Sequence, residues 1–145
     1  MIIPYISGDL REVSASVLAY IGDSVYELYA RCWVAEHSSA KSGQMHKMAI
    51  KYVSAKAQAK AIRILRDELS DTEENFFRRG KNSNPGSMAK NSSPAEYMYA
   101  TGFEALIGYL FLDNQVERLE YLINKTFDII DNPEKYGGDD GSEGI

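Results

Sequence analysis

The sequence contains one cysteine, no long apolar run and no strand-like alternation of apolar and polar residues. The lone cysteine, Cys32, has no partner for an internal disulfide or a zinc site, so we expect a small buried hydrophobe there. No segment approaches the roughly 18 consecutive apolar residues of a membrane span, and the N-terminus lacks the pattern of a secretory signal. These absences predict a cytoplasmic protein with no membrane partner.

Several catalytic motifs are absent as well. The sequence has no GxxxxGK[ST] phosphate loop, no GxGxxG turn and no HExxH zinc motif. Its histidines, His37 and His46, lie in different sequence contexts, and neither adjoins a plausible serine or cysteine nucleophile. The sequence therefore argues against P-loop chemistry, dinucleotide binding and triad hydrolysis.

The size and charge of the chain leave room for one domain with a polyanion-binding face. A chain of about 150 residues buries roughly two-thirds of its unfolded surface, and this one has 145 residues, 44% of them hydrophobic. The net charge is −5, yet residues 41–90 hold eleven Lys or Arg against five Asp or Glu. Such a basic middle fits either a polyanion footprint or a solvated helix face, and charge alone does not decide between them.

The apolar residues recur at spacings of three and four, which predicts an all-α helical bundle with no sheet. The predicted helices run from Ser14 or Ser16 to about Glu36, from Ser42 to about Leu69 with a kink or break at Ser54, from Ser70 or Asp71 to Gly80, from Pro94 to Asp113, and from Val116 to Ile130. We expect residues 81–94 to form an exposed loop. Residues 1–131 should form the domain and residues 132–145 an acidic, disordered tail.

The first predicted helix carries an apolar stripe that we expect to face the core. Its members are Val17, Leu18, Ile21, Val25, Leu28, Tyr29, Cys32 and Trp33.

Two carboxylates, Asp23 and Glu104, interrupt segments that otherwise favour burial, LAYIGDSVYELYAR and GFEALIGYLFL. An ionised carboxylate leaves water only at a high cost unless it is paired, hydrogen-bonded or bound to metal. Each therefore needs a partner, or else it lies at the solvent edge of its helix. A salt bridge or cap to a neighbouring helix is the structural alternative to a functional site.

Small residues beside these carboxylates allow a close helix contact. Gly22 precedes Asp23, while Ala100, Glu104 and Gly108 lie four apart on one helix face. Glycine costs about 1 kcal/mol relative to alanine inside a helix, so its presence suggests that packing uses the space. Converging carboxylates repel each other unless a cation lies between them, and Mg²⁺ suits one or two carboxylates completed by water and phosphate oxygens.

One further carboxylate, Glu27, lies one turn after Asp23. It could join the same metal shell or form an i,i+4 pair with Arg31.

The stretch LAYIGDSVYEL resembles the signature helix of the ribonuclease III catalytic domain, whose usual form is LEFLGDSVLEL. GQMHKMAIKYVSAKAQAKA and FEALIGYLFLD resemble two further blocks of that domain in the same order, so the resemblance covers about residues 14–130. The length leaves no room for a following double-stranded-RNA-binding domain. The stretch RRGKNSNPGSMAKNSSPAEYMYATGFEALIGYLFL is similar to the version found in the Mini-ribonuclease III family.

The resemblance implies a homodimeric, Mg²⁺-dependent endoribonuclease that matures the ends of precursor 23S ribosomal RNA, in the cytoplasm or in a plastid stroma. It implies products with 5′-phosphates, and it allows a ribosomal protein that presents the RNA. Asp23 and Glu104 match catalytic, metal-binding positions of the family. Ala19 and Thr101 stand where larger relatives have carboxylates, which reduces the site to two acidic residues.

The basic segment gains a role if the substrate is double-stranded RNA, which proteins grip mainly by shape and backbone contacts. The candidate RNA-binding residues are Arg78, Arg79, Lys81, Asn82, Lys90 and Asn91. The main alternative is a catalytically inactive helical dimer that binds structured RNA in ribosome assembly. A helical interaction protein unrelated to RNA would leave the basic loop and the two carboxylates unexplained.

Overall fold

The computed structural model describes residues 4–39, 41–83 and 93–137, and within them every regular element is helical. The all-α prediction is confirmed. The described helices are α1 (Ala15–His37), α2 (Ser42–Val53), α3 (Ala55–Leu65), α4 (Asp71–Lys81), α5 (Pro94–Leu112) and α6 (Val116–Asp131). Short 3-10 turns occupy Leu10–Glu12, Arg66–Glu68 and Pro133–Tyr136.

Serine side chains define four of the helix starts. The hydroxyl of Ser14 accepts a hydrogen bond from the backbone N–H of the third helical residue of α1, and Ser54 does the same for α3. Ser54 therefore breaks the long predicted segment into α2 and α3. Ser70 and Ser93 form capping boxes with Glu73 and with the third residue of α5, respectively. Such caps satisfy backbone donors that have no partner inside the helix.

Helix α5 forms the centre of the bundle and contacts α1, α3, α4 and α6. The Tyr26 ring of α1 packs edge-on against Phe103 of α5, with 5.0 Å between ring centroids. The buried Tyr26 hydroxyl donates to the carbonyl of Tyr52 at 2.8 Å, so this deep polar group has a partner. The larger fully buried side chains of α5 are Phe103, Leu106, Ile107 and Leu110.

The predicted core-facing stripe of α1 is wrong in part. Leu18 is buried, but Val17, Leu28 and Cys32 are exposed, so Cys32 is not the buried hydrophobe expected from the sequence. The physical reason is close packing, because the face of α1 that meets α5 is lined largely by small side chains. The residues that α1 buries are Ala15, Leu18, Ala19, Gly22, Tyr26, Ala30 and Val34.

Helices α1 and α5 approach each other backbone to backbone. A Cβ atom added to Gly22 would lie 1.8 Å from the backbone oxygen of Glu104, and one added to Gly108 would lie 2.1 Å from the backbone oxygen of Leu18. No side chain fits at either position, so the two glycines permit the contact. The predicted use of Gly22 and Gly108 for close packing is confirmed.

Two predicted irregular segments fall largely outside the described residues. Of the loop 81–94, residues 84–92 are not described, and neither are residues 138–145 of the predicted tail. Residues 132–137 are described, and there the Tyr136 hydroxyl donates to the Asp128 carboxylate at 2.6 Å. The domain boundary near residue 131 stays a prediction. Across the described residues, no helix is both long and apolar enough to cross a membrane.

Gly22→Ala tests the close contact. We expect a loss of about 3 kcal/mol or more in the free energy of unfolding, because the added methyl group would meet rigid backbone. Gly43→Ala is the matched control, since Gly43 lies in α2 with no atom within 4 Å of an added methyl group and should be neutral or stabilising by up to about 1 kcal/mol. Urea denaturation of both variants measures the difference. Equal stability of the two would contradict the contact.

Candidate metal centre

Asp23 of α1 and Glu104 of α5 line one small cavity of about 190 Å³. Asp23 is exposed at its mouth, as the solvent-edge alternative anticipated, whereas Glu104 is half-buried. The backbone contact at Gly22 explains why they meet, because it places residue 23 of one helix beside residue 104 of the other. The remaining polar side chains of the lining belong to Ser16, Tyr20, Ser83, Tyr97 and Thr101.

The two carboxyl groups interact strongly. The pKa of Glu104 is raised to about 8, first by burial, next by the negative charge of Asp23, and then by a hydrogen bond with Asp23. Glu104 therefore keeps its proton near neutral pH when nothing else compensates the charge.

The donor set of this cavity fits a hard divalent cation. No ion pair among the described residues joins a basic side chain to Asp23 or Glu104. A bound cation would relieve the repulsion between the two carboxylates, which contributes to the raised pKa of Glu104. In the described part of the chain, no three or more His, Cys, Asp or Glu side chains are grouped so that they could hold a metal ion. Two carboxylates alone suit Mg²⁺, which commonly keeps several of its own waters.

The neighbouring positions are uncharged. Ala19 is buried, and the Thr101 hydroxyl donates to the carbonyl of Tyr97 at 2.9 Å, so neither adds a carboxylate. Glu27 pairs with Arg31 at 3.2 Å, which is the i,i+4 alternative that its sequence position left open.

Sequence reasoning missed one polar residue of the site, Gln58 of α3. Its amide nitrogen donates to Glu104 Oε2 at 3.3 Å, and only 1% of the residue is exposed. A signal was present in the sequence, because Gln58 occupies the same helical stripe as Ile62 and Leu65, four and seven residues later. A glutamine in an otherwise apolar stripe marks a buried polar contact.

The predicted RNA-binding arginines have different surroundings. Arg78 is exposed, with its guanidinium 3.5 Å from the Glu74 carboxylate. Arg79 donates to the Val13 carbonyl at 2.8 Å and lies over the Phe76 ring, 5.2 Å from its centroid. Arg79 thus ties α4 to the segment before α1, and its replacement would disturb packing as well as charge.

The other predicted contacts lie at the last residue of α4 and beyond it. Lys81 is half-buried, with its ammonium group 5.3 Å from the centroid of the Tyr99 ring, and Asn82 is exposed. Lys90 and Asn91 lie outside the described residues.

The basic end of α4 lies close to the two carboxylates. A Cβ added to Gly80 would be 2.9 Å from Cα of Gly102 and 3.0 Å from the backbone oxygen of Thr101. Ser83, just after α4, lines the same cavity as Asp23 and Glu104. A polyanion bound along the end of α4 would therefore pass near the carboxylates.

Comparison with known proteins identifies the class of this domain. Residues 16–115 match the family described as Ribonuclease III domain, and these residues include Asp23, Gln58 and Glu104. A crystal structure of a protein from Fusobacterium nucleatum is similar in fold, with a TM-score of 0.76 and 26% sequence identity over 84% of this chain and 98% of that one.

Curated relatives identify a particular family within this class. A Mini-ribonuclease 3 from Enterococcus faecalis is 42% identical over 80% of this chain and 89% of its own length. A Mini-ribonuclease 3 from Clostridium tetani is 37% identical over 90% of this chain and 87% of its own. The chain belongs to the Mini-ribonuclease 3 family of endoribonucleases.

Glu104→Gln tests the raised pKa of Glu104. The folded carboxyl holds its proton to about pH 8, whereas the unfolded group releases it near 4.5, so the folded state binds more protons between these values. The free energy of unfolding should therefore fall as pH rises through this window. Measured in EDTA, the variant should be more stable than the parent chain by roughly 2–4 kcal/mol at pH 9 and nearly equal at pH 4.

Glu27→Gln is the control for this prediction, because it removes an exposed carboxylate one turn away on α1. It should change stability by no more than about 0.5 kcal/mol, the usual value of such an i,i+4 pair. A Glu104→Gln variant that gains no stability over the parent chain with rising pH would show that the pKa of Glu104 is not raised in the folded state.

Proposed function

We propose that this endoribonuclease hydrolyses double-stranded RNA with Mg²⁺ held by Asp23 and Glu104. The observation that carries the proposal is the convergence of two carboxylates from different helices on one cavity, where no basic side chain among the described residues pairs with either of them. Carboxylates held close together without a basic partner are costly for a fold, and perturbed groups of this kind cluster at functional sites. The two uncharged neighbours, Ala19 and Thr101, leave the metal to these two residues.

The two carboxylates have different roles because they differ in burial. Glu104 is half-buried and accepts a hydrogen bond from Gln58, so it is the fixed metal ligand. Asp23 is exposed and faces the incoming phosphate. When bound, Mg²⁺ supplies an acidified water and offsets charge that develops on the scissile phosphate. The mechanism needs no protein nucleophile. It leaves products with a 5′-phosphate and a 3′-hydroxyl.

The basic end of α4 provides the RNA-binding contacts. Arg78 and Asn82 are exposed there, and Lys81 is half-buried beside them. Contacts from Arg78, Arg79, Lys81, Asn82, Lys90 and Asn91 to phosphates and 2′-hydroxyls would position the duplex without reading its sequence. Binding of this kind weakens as salt is added.

The substrate that the family resemblance favours is the double-stranded end of precursor 23S ribosomal RNA. A duplex presented by a ribosomal protein is compatible with a chain that grips RNA from one short basic segment. Such an enzyme would act where ribosomes are assembled, in the cytoplasm or in a plastid stroma.

Cleavage of a duplex RNA in Mg²⁺ tests the metal site. The parent chain should cut both strands, and Asp23→Asn should cut at least about 100-fold more slowly, because one of two metal ligands is lost. The matched control Glu27→Gln should cut normally, since that carboxylate is paired with Arg31. Electrophoresis of duplexes labelled on both strands measures the rates.

The outcome also separates the two candidate functions. Cleavage that persists in EDTA or in Asp23→Asn would refute the metal mechanism. RNA binding by the parent chain without any cleavage would favour the inactive RNA-binding dimer instead.

A second copy of the chain is the occupant that we propose for the exposed face of α1. This face borders an apolar groove of about 560 Å³ lined by Tyr20, Ile21, Val25, Leu28, Cys32 and Phe111. Tyr20 is 79% and Leu28 62% exposed, an arrangement that would be costly on a monomer. A twofold dimer is self-complementary, so each copy can place its protruding side chains against the groove of the other. The same helix carries Asp23, and each subunit would cut one strand.

Leu28→Lys tests this interface. The parent chain should sediment as a dimer, and the variant should dissociate at least about 100-fold more readily, because a charge would be buried at the centre of an apolar contact. Ile50→Lys is the control, since Ile50 is a similarly exposed apolar residue, 49% accessible, on α2. Analytical ultracentrifugation measures both. A monomeric parent chain, or a Leu28→Lys variant that stays dimeric, would refute this interface.

A further inference from the structure

Gln58 of α3 connects a helix break to the carboxylate site. Its side-chain nitrogen donates to the Val53 carbonyl at 3.0 Å and to Glu104 Oε2 at 3.3 Å. Val53 is the last residue of α2, and its carbonyl has no place in the helical hydrogen-bond ladder because Ser54 ends the helix. One amide group therefore donates hydrogen bonds both to the last carbonyl of α2 and to the half-buried Glu104 on α5.

The hydrogen bonds fix the orientation of this amide. The Val53 carbonyl can only accept, so the nitrogen and not the oxygen of the amide faces it. Both protons of the nitrogen are then used, one for Val53 and one for Glu104. Glu104 consequently receives a donor at a fixed position, from a side chain held at its other end by backbone.

The same orientation leaves the other amide atom without a partner. Oε1 of Gln58 is buried and accepts no hydrogen bond among the described residues. A methionine or leucine of similar volume would fill this space without an unmet acceptor, so packing alone does not account for a glutamine. The donor to Glu104 is the feature that an apolar side chain would lack.

A neutral donor also suits a metal ligand better than a charged one. Lysine or arginine at this position would pair with Glu104 and cancel the charge that attracts a cation. An amide orients the carboxylate and leaves its charge available. With Ala19 and Thr101 uncharged, Gln58 is the described neighbour that donates a hydrogen bond to Glu104.

We propose that Gln58 is a positioning residue that holds the Glu104 carboxylate in its metal-binding orientation through a hydrogen bond anchored on the Val53 carbonyl. The proposal rests on the proposed function, in which Glu104 binds the metal. Hydrogen-bond partners of this kind orient ligands before the metal arrives, and their loss weakens metal binding without removing a ligand.

Mn²⁺ binding to the RNA-free chain, followed by electron paramagnetic resonance, tests the proposal with Gln58→Met. The variant should bind Mn²⁺ about 10–100-fold more weakly, as is typical when such a partner is lost. Its melting temperature should change little, because removal of the unmet Oε1 offsets the loss of the hydrogen bond to the Val53 carbonyl. Cleavage at saturating RNA should slow, while the KM for RNA stays the same.

Thr126→Val is the matched control. It also removes a buried side-chain hydrogen bond to a backbone carbonyl, that of Leu122 at 2.8 Å, but on α6. This variant should lower the melting temperature and leave Mn²⁺ binding unchanged. Gln58→Leu provides a second apolar replacement if the methionine variant folds poorly.

The outcomes separate this inference from the function on which it rests. If Asp23→Asn abolishes Mn²⁺ binding while both Gln58 variants bind as tightly as the parent chain, the metal site stands and the positioning role of Gln58 is wrong. Equal Mn²⁺ binding by the parent chain and Asp23→Asn would overturn the metal site itself, and the positioning role with it.

Discussion

The backbone contact between α1 and α5 is the constraint on which the rest of the structure depends. Gly22 lies directly against the carbonyl of Glu104, and Gly108 against that of Leu18, so the two helices cannot slide or separate without losing a matched pair of close approaches. Because peptide groups and not long side chains form this contact, the two carboxylates that flank it are held with little freedom. The contact also turns the small residues of α1 inward. Of the larger apolar side chains of that helix, Leu18 and Tyr26 are buried, whereas Val17, Tyr20 and Leu28 are left exposed.

The site carries a cost that a paired carboxylate avoids. The buried Glu73 forms an ion pair with Arg118 at 2.9 Å. Glu104 has instead a second carboxylate and a neutral amide, and burial first and the charge of Asp23 next raise its pKa to about 8. A chain selected for stability alone would place a cation or an apolar residue there. The arrangement is understandable if a divalent cation supplies the missing charge, and the unmet oxygen of Gln58 is a second, smaller cost of the same kind.

Local sequence signals predicted much of this structure, and long-range packing set what they missed. Ser54 and Ser70 mark helix boundaries through their own hydrogen bonds, so residues within one turn suffice to find them. Asp23 and Glu104 could be predicted as candidate site residues, because a charged residue in an apolar segment is unusual. The core-facing side of α1 could not be identified in this way, because apolarity alone does not reveal that small side chains line much of the contact with α5. Leu28 and Cys32 were therefore assigned to the core. Gln58 was not identified as a site residue because its partner, Glu104, lies 46 residues away in sequence, although a glutamine in an apolar stripe is itself a local signal.

The central claim is that the α1–α5 contact brings Asp23 and Glu104 together to bind one divalent cation. Anomalous X-ray scattering from crystals of the full chain soaked in Mn²⁺ tests it most directly, because Mn²⁺ replaces Mg²⁺ and its position is located independently of the protein atoms. The account predicts an anomalous peak within coordination distance of carboxylate oxygens from both residues of the same subunit, and its loss in Asp23→Asn crystals. A peak bound by other residues, or Asp23 and Glu104 without a shared ion at saturating Mn²⁺, would contradict it.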